Sequence, residues 1–397
     1  MSSSAGDTEW CRVIYPSNVL GLEKHGFFPY ERFAYNALRI GTEALGAVGL
    51  STALTVSFDS KPDGVDPATL NAWISETEDG SSGYAITTTL FTPPVLLALC
   101  HRVGVPLFNQ RDAKGWSKKP QLLQKELQAI AAMLVSASNA LHAEGAASAG
   151  RMLRDGGGYT VITLQDSVNL FDAVAQFIVN HEAAHAYVKQ FERLRSGLTA
   201  EDHKAFEFLA DLTATSWLYR KFVANTPDTE AYRRTRRFKS HAHAIRANTQ
   251  LVLEAQLLVL IFLGLSEALR SGGKVTLEGG RLHPHTIVRH NLQQVHLLTL
   301  VMSNFSSAYP DSEVNPLDKW WSDVMVLLYK VGLVPISAHD AMIDDEHYKA
   351  VRRAGDLVGE LGIAELTKAA PFLTQLKGMK LDSPPTTAPS LAVSFAS

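Results

Sequence analysis

The sequence predicts an α+β protein that is predominantly helical and has a small sheet in its N-terminal half. Segments rich in threonine and β-branched residues occur in the first half of the chain, whereas the part after residue 200 has helical periodicity almost throughout. The 397 residues are 46% hydrophobic and 19% charged, which is typical of a globular protein with a sizeable core. We expect one domain over residues 1–380, with a mixed α/β lobe to about residue 165 and a helical lobe from about residue 166.

The N-terminal segments alternate between helix and strand patterns. Residues 66–77, "DPATLNAWISET", start with an Asp-Pro pair, which is typical of an N-cap followed by proline in the first helical turn. Residues 83–94 are rich in threonine and end at two prolines, which favours a strand. The other predicted elements of this part are a helix at 30–50, a strand at 52–60 and a long helix at 121–144.

A glycine-rich stretch separates these elements from the helical part. Three glycines at 156–158 precede "YTVITL", which we expect to form a short strand over 159–164. Asp166 or Ser167 can then cap the helix that follows.

The chain after residue 200 is predicted to be helical up to a C-terminal tail. The predicted helices lie near 201–222, 228–270, 284–304, 316–331, 337–355 and 358–379. Residues 381–397 are rich in proline, serine, threonine and alanine, so we expect a disordered tail.

The charge balance argues against a nucleic acid as the main partner. Lysine and arginine number 37 against 40 acidic residues, which gives a formal net charge of -3. The basic run 233–239 is interpreted as the solvated face of a long helix. Two cysteines and the lack of a secretory signal predict a cytoplasmic protein.

One apolar segment, residues 251–269, is long enough to be tested as a membrane span. Carboxylates at Glu254 and Glu267 interrupt it, and charged groups are costly inside a bilayer. We therefore interpret the segment as a buried helix and expect no membrane span.

The stretch "FIVNHEAAHAYVKQ", residues 177–190, contains two histidines four residues apart. The histidines continue a helical stripe formed by Leu170, Val174, Phe177, Ile178, His181 and His185. Residues at this spacing are neighbours on a helix, so both imidazoles can reach one zinc ion at about 2.0–2.1 Å. Glu182 lies about 100° round the helix, where a base for a metal-bound water is needed.

Two imidazoles do not complete a zinc site, and "HKAFEFLADLTATSWLYR" offers further ligands. His203, Glu207 and Asp211 share one helical stripe. Glu207 can complete a set of two histidines and one glutamate, and His203 is the alternative third ligand. Asp211 can accept a hydrogen bond from the far nitrogen of a ligand histidine.

"HEAAH" followed by "EFLAD" resembles the gluzincin zinc metallopeptidases, which carry HExxH and then ExxxD on a second helix. The alanine before the aspartate is similar to the HtpX and CAAX prenyl protease group, and the general layout resembles the Lit-type phage-exclusion peptidases. "RLHPHTIVRH" resembles the histidine-proline and arginine that HtpX-type proteases carry after the second helix. Those proteases are membrane-embedded, which the expected lack of a span does not match.

The resemblance implies a zincin-like fold and a role for each motif residue. His181, His185 and Glu207 would bind Zn²⁺, Glu182 would be the general base and Asp211 would orient a ligand. His283 or Arg289 would help to bind substrate or the oxyanion. "HPHT" can equally start a helix, with Pro284 in its first turn and with His283 and His285 exposed.

The predicted function is hydrolysis of peptide bonds by a soluble zinc-dependent metallopeptidase, through a zinc-bound water activated by Glu182. The substrate would be a peptide or protein that pairs with the strand at 158–164. The alternative is a zincin-fold binding or regulatory module without peptidase activity, which uses the helical lobe as a partner surface. A membrane gluzincin anchored by residues 251–269 is a third hypothesis.

Overall fold

A four-stranded sheet and ten α-helices with defined ends are found in the part of the chain that the computed structural model describes. The described residues are 11–14, 24–50, 53–59, 70–77, 83–108, 119–157, 164–188, 197–271, 286–309, 320, 323–324, 326–328 and 345–362. The strands of the described residues lie before residue 90, and the rest of the described chain is almost entirely helical. The prediction of a predominantly helical α+β protein with a small N-terminal sheet is confirmed.

The sheet contains β1 (Cys11–Ile14), β2 (Leu54–Asp59), β3 (Ala72–Glu76) and β4 (Tyr84–Thr89) in the order β1-β2-β4-β3. The pairs β1–β2 and β2–β4 are parallel, and β3 is antiparallel to β4 with Ile74 opposite Ile86. Among the described residues, β3 therefore forms one edge of the sheet and runs against the other three strands.

The helices are named in chain order. They are α1 (Lys24–Ala47), α2 (Thr92–Leu99, continued by π-helical turns at Cys100–Phe108), α3 (Lys119–Glu144), α4 (Ala146–Gly157), α5 (Leu164–Tyr187), α6 (Ala200–Leu218, continued by a π-helical turn at Tyr219–Ala224), α7 (Glu230–Thr235), α8 (His241–Ser271), α9 (Thr286–Phe305) and α10 (Asp345–Leu361).

Helix α5 lies at the centre of the packing. It contacts α1, α2 and β3, and it also contacts α6 and α8. Its described residues from Leu170 to Ala186 are buried, except for the half-buried Asp172. A smaller apolar cluster joins α6, α9 and α10 through residues such as Leu209, Leu292 and Leu357. Burial of apolar surface is the main stabilising contribution to such contacts.

The sequence predicted a helix that starts at residue 66, but Ala72–Glu76 form strand β3. The prediction is therefore wrong for the C-terminal part of the segment 66–77. Pairing with β4 buries Ile74, so tertiary contacts override the helix-start signal of the Asp-Pro pair. The predicted strand at 83–94 ends at Thr89. The two prolines stand in the first turn of α2 instead, a position that tolerates proline because its N–H has no helical partner.

The boundary before α5 also differs from the prediction. Helix α4 continues into the glycine stretch as far as Gly157, and residues 159–163 of the predicted strand lie outside the described part. Leu164 is already helical, so Asp166 and Ser167 lie in the first turn of α5 and neither is its cap.

The predicted long helix at 228–270 is two helices, α7 and α8. The chain turns between them at Arg237, whose φ is 57°, while the amide of Phe238 donates to the carbonyl of Arg233. The basic run 233–239 therefore lies on a short helix and a turn and not on one long helix, although most of it is exposed, as expected.

Towards the C-terminus, α10 spans the predicted break near residue 356 and ends before Gly362, whose φ is 62°. Of the predicted helix at 316–331, the described residues 320, 323–324 and 326–328 are helical. The tail at 381–397 lies outside the described residues.

The apolar segment at 251–269 forms part of α8. Within the described residues, His241–Leu265 is long and apolar enough to cross a membrane, but 78% of the apolar window is buried inside the protein. A core helix passes the same test, and Leu253, Leu257 and Ile261 are buried in the main apolar cluster.

An ion pair joins α1 to α5. Arg32 donates from Nε to Oδ1 of Asp172 at 2.7 Å and also contacts Oδ2, while Asn36 donates to Oδ1 at 2.9 Å. Gln176 donates to the side-chain oxygen of Asn36 at 3.1 Å, which extends the network along α5. One carboxylate thus satisfies donors from two side chains of α1.

We predict that Asp172→Ala lowers the free energy of unfolding by about 2 kcal/mol, because hydrogen bonds to a charged group contribute about 1.5–3 kcal/mol. Denaturant unfolding measures this change. Asp228→Ala is the control, since Asp228 also pairs with an arginine, Arg233, but is 63% exposed. A surface pair contributes about 0–1 kcal/mol, so equal losses in the two variants would contradict the prediction.

Candidate metal centre

Helix α5 carries His181, Glu182 and His185 on its buried part. The three residues are 7–9% exposed, so each polar group has been removed from most of its solvent. Burial of such groups is costly unless they are paired or bind an ion. The helical spacing brings the two imidazoles together, with Nε2 of His185 3.1 Å from Nε2 of His181.

Helix α6 supplies a carboxylate to the same point. Oε2 of Glu207 lies 3.5 Å from Nε2 of His181, and Oε1 lies 3.6 Å from Nε2 of His185. Helix α6 begins with a capping box, in which Thr199 and Asp202 bond to each other's backbone amides. The contact between α5 and α6 then aligns Glu207 with the two histidines.

The three donor groups fit a small divalent ion. Ligand atoms about 2.0–2.1 Å from a tetrahedral ion are roughly 3.3 Å from one another. The two imidazole nitrogens are 3.1 Å apart, and the nearest Glu207 oxygens, Oε2 for His181 and Oε1 for His185, are 3.5 and 3.6 Å from them. Two imidazole nitrogens and one carboxylate are the donor set of catalytic zinc sites that leave the fourth position open. In the described part of the chain, His181, His185 and Glu207 are the group of metal-ligating side chains that converges in this way.

Asp211 lies one turn after Glu207 and faces the opposite nitrogen of a candidate ligand. Its Oδ1 is 3.0 Å from Nδ1 of His181, and the side chain is almost completely buried. Burial alone would raise the pKa of Asp211, but Arg289 and His181 outweigh it and lower the pKa to about 2. The carboxylate is therefore ionised and can fix the ring orientation of His181.

Arg289, near the start of α9, binds two carboxylates of α6, those of Asp211 and Glu207. Its Nε donates to Oδ2 of Asp211 at 2.7 Å, and its Nη2 donates to Oδ1 at 2.9 Å. The same Nη2 lies 3.2 Å from Oε2 of Glu207. Burial opposes the charge of Arg289, but the two carboxylates keep its pKa above the usual value.

The two histidines have different electrostatic surroundings. Burial lowers the pKa of His185 to about 4, so its imidazole is neutral at pH 7 and retains a lone pair for an ion. At His181, burial also opposes the charge, but Asp211 and Glu207 raise the pKa to about 10. Both carboxylates thus favour positive charge at this position, carried either by a proton or by a metal ion.

Glu182 lies between the donor group and the edge of the sheet. Burial is the main cause that raises its pKa, to about 7, while His181 opposes the rise. The backbone amide of Ile74 in β3 faces this carboxylate and also opposes the rise of its pKa. This contact links the candidate base to a strand that the sequence did not predict.

The backbone groups of β3 alternate between those that face β4 and those that face away from it. The amide of Thr77 donates to the carbonyl of Gly83, and the amide of Thr89 donates to the carbonyl of Asn71. In an antiparallel pair the bonded positions alternate, so the backbone groups of Ala72, Ile74 and Glu76 point away from β4. The outward side of β3 therefore lies beside Glu182.

The structure brings together some of the residues predicted for the site but not others. His203, the alternative ligand, is half-buried on α6 and is not in the converging group. The guanidinium of Arg289 is bound to Asp211 and Glu207. His283 and His285 lie outside the described residues. Ile74 was not found from the sequence, because only the pairing of β3 with β4 reveals its position.

The comparisons with known proteins bear on the same part of the chain. Residues 156–291 match the family Peptidase U49. The match covers His181, Glu182, His185, Glu207, Asp211 and Arg289. Searches of curated proteins and of solved structures found no match. The match to Peptidase U49 supports a peptidase that acts on a peptide or protein, and the converging group of side chains is a possible metal site.

We predict that the wild-type protein binds about one divalent ion per chain and that Glu207→Gln binds much less, because a neutral amide is a poorer ligand than a carboxylate. Elemental analysis of the two proteins, purified side by side, measures this. His203→Gln is the matched control on the same helix and should retain the ion. Loss of the ion from His203→Gln but not from Glu207→Gln would transfer the third ligand to His203.

Proposed function

We propose that the chain is a zinc-dependent peptidase of the gluzincin type, which hydrolyses peptide bonds. The proposal rests mainly on one observation: the Nε2 atoms of His181 and His185 lie 3.1 Å apart and each has a carboxylate oxygen of Glu207 within 3.6 Å, next to the buried carboxylate of Glu182. The match to Peptidase U49 supports the reaction class.

His181, His185 and Glu207 would hold the ion. When bound there, zinc would supply a Lewis acid that polarises the substrate carbonyl and makes water more acidic. Nitrogen and carboxylate ligands in this number are those that zinc uses in hydrolytic sites. Asp211 would keep the ring of His181 in place through Nδ1.

Glu182 would act as general base and then as general acid. Its carboxylate would take the proton of the attacking water, and the oxygen of that water would form the new bond to the carbonyl carbon. The carboxyl group would then give the proton to the leaving nitrogen as the peptide bond breaks. The amide of Ile74 would hold the carboxylate in position.

The substrate would bind in an extended conformation along β3. An edge strand can pair with the backbone of another chain, which gives affinity without requiring a particular sequence, and β4 is the described strand that pairs with β3. The outward backbone groups of β3 lie next to Glu182, so a docked peptide would reach the base. The strand first expected for this role, at 158–164, lies outside the described residues apart from Leu164, which is helical.

Cysteine usage supports a reducing compartment such as the cytoplasm as the place of action. The remaining alternative is a zincin-fold binding or regulatory module that holds a partner without cutting it. The buried carboxylate of Glu182 beside the group of candidate metal ligands favours the enzyme, because a protein that only binds a partner does not need a base at this position.

We predict that Glu182→Gln keeps the bound zinc and reduces peptide cleavage by about 10²–10⁴-fold, the usual contribution of a general base. Zinc content and cleavage of a protein substrate are measured on the same preparation. The variant should also trap intact a partner that the wild type cuts. A partner that both the wild type and Glu182→Gln hold intact would support the binding module. Full cleavage by Glu182→Gln would contradict the role of Glu182 as general base.

We also predict that Ile74→Pro reduces cleavage by roughly 10–100-fold without loss of zinc, since a hydrogen bond to a charged group contributes about 1.5–3 kcal/mol. Proline removes an amide that points away from β4, so no bond of the sheet is lost. Ile74→Ala is the control, because it shortens the side chain but keeps the amide. If Ile74→Ala loses as much activity as Ile74→Pro, the amide is not what matters.

A further inference from the structure

Among the three candidate zinc ligands, Arg289 contacts Glu207 directly. It also binds Asp211, which in turn contacts the imidazole of His181. We propose that Arg289 is a positioning residue that holds the metal-binding side chains in their binding arrangement and does not bind the substrate. The inference rests on the proposed zinc site. It differs from the role that the sequence resemblance implied, which was a contact with substrate or with the oxyanion.

The directions of the hydrogen bonds support this role. A guanidinium that binds a carboxylate through two parallel bonds fixes both the distance and the orientation of the carboxylate. Nε and Nη2 of Arg289 bind the two oxygens of Asp211 in this way, at 2.7 and 2.9 Å. Oδ1, one of these bound oxygens, is also the oxygen 3.0 Å from Nδ1 of His181. The orientation of the His181 ring is therefore tied to Arg289.

The contact with Glu207 ties a second donor to the same guanidinium. Nη2 of Arg289 is 3.2 Å from Oε2, the oxygen that faces His181 at 3.5 Å. Two of the three donor groups, those of His181 and Glu207, are thus held by one side chain from a third helix. Nη2 of Arg289 contacts both Asp211 and Glu207. An ammonium group lacks the planar set of donors of a guanidinium and could not bind both carboxylates in the same geometry.

The charges of the buried groups explain why a cation is needed here. The carboxylates of Glu182, Glu207 and Asp211 would carry three negative charges at most, against the single charge of Arg289 and the two of a divalent ion. These charges balance, and buried charges are tolerated when they are paired. Without Arg289, the side chains of Glu207 and Asp211 would repel each other, one turn apart on α6.

A simple electrostatic view predicts the opposite effect on zinc. A guanidinium close to a metal site repels the ion, so its removal alone would strengthen zinc binding. Positioning predicts weaker binding, because partners that orient metal ligands typically change metal affinity by about 10–100-fold. The sign of the change in zinc affinity therefore separates the two roles.

The helix that carries Arg289 has its own anchors on α6. Val288 and Leu292, on either side of Arg289 along α9, are buried in the apolar cluster that includes Leu209 and Leu212. Further along α9, Nε2 of His296 lies 2.7 Å from Oγ of Ser216. Since these contacts do not involve the guanidinium, α9 should stay docked when Arg289 is replaced.

The test measures zinc affinity by chelator competition for wild type, Arg289→Lys and Arg289→Gln, with KM and kcat at saturating zinc. We expect Arg289→Gln to weaken zinc binding by about 10–100-fold and to lower kcat with little change in KM. Arg289→Lys keeps the charge but not the fork, so it should recover only part of the loss. If Arg289→Gln does not fold, Arg289→Lys carries the test.

Arg32→Gln is the matched control. Arg32 also binds an aspartate of α5 through two nitrogens, but this residue is Asp172, which is not in contact with the candidate zinc ligands. Its loss should lower stability and leave zinc affinity unchanged. If both Arg289 variants bind zinc as tightly as the wild type or more tightly, the positioning role is rejected while the proposed function stands. The same holds if KM rises and zinc affinity does not change. A wild type that binds no zinc would reject the proposed function and this role with it.

Discussion

The contact between α5 and α6 is the interaction on which the rest of the candidate site depends. Two imidazoles on one helix and a carboxylate on the other meet only because the helices pack closely along their buried faces. Helix α5 is held in turn by its contacts with α1 and with strand β3 of the sheet. Polar residues on so buried a helix are a cost to folding, and their mutual contacts offset it.

The second constraint is electrostatic. Three carboxylates and two imidazoles occupy a region from which solvent is largely excluded, and Arg289 provides the fixed positive charge among them. The pKa of Asp211 is lowered and that of Glu182 is raised, although both are buried carboxylates. The difference follows from the partners: Asp211 has two bonds to a guanidinium, whereas burial dominates at Glu182.

Much of the donor group could be predicted from the sequence, because helical periodicity is a local property. His181 and His185 lie one turn apart in any α-helix, and Glu207 and Asp211 likewise, so their shared faces needed no tertiary information. Strand β3 could not be predicted in this way. Its residues follow a helix-start signal. They form a strand only because they pair with β4, which comes later in the chain. The destination of the Arg289 side chain is also non-local, since it depends on how α9 docks against α6.

The reversed direction of β3 has a consequence for the polarity of anything that binds there. A chain that pairs antiparallel with β3 would run in the same sense as β1, β2 and β4, with β3 lying between it and β4. Its amino end and its carboxyl end would then lie on defined sides of Glu182. The topology of four short strands would in this way decide which half of a bound chain faces each end of α5.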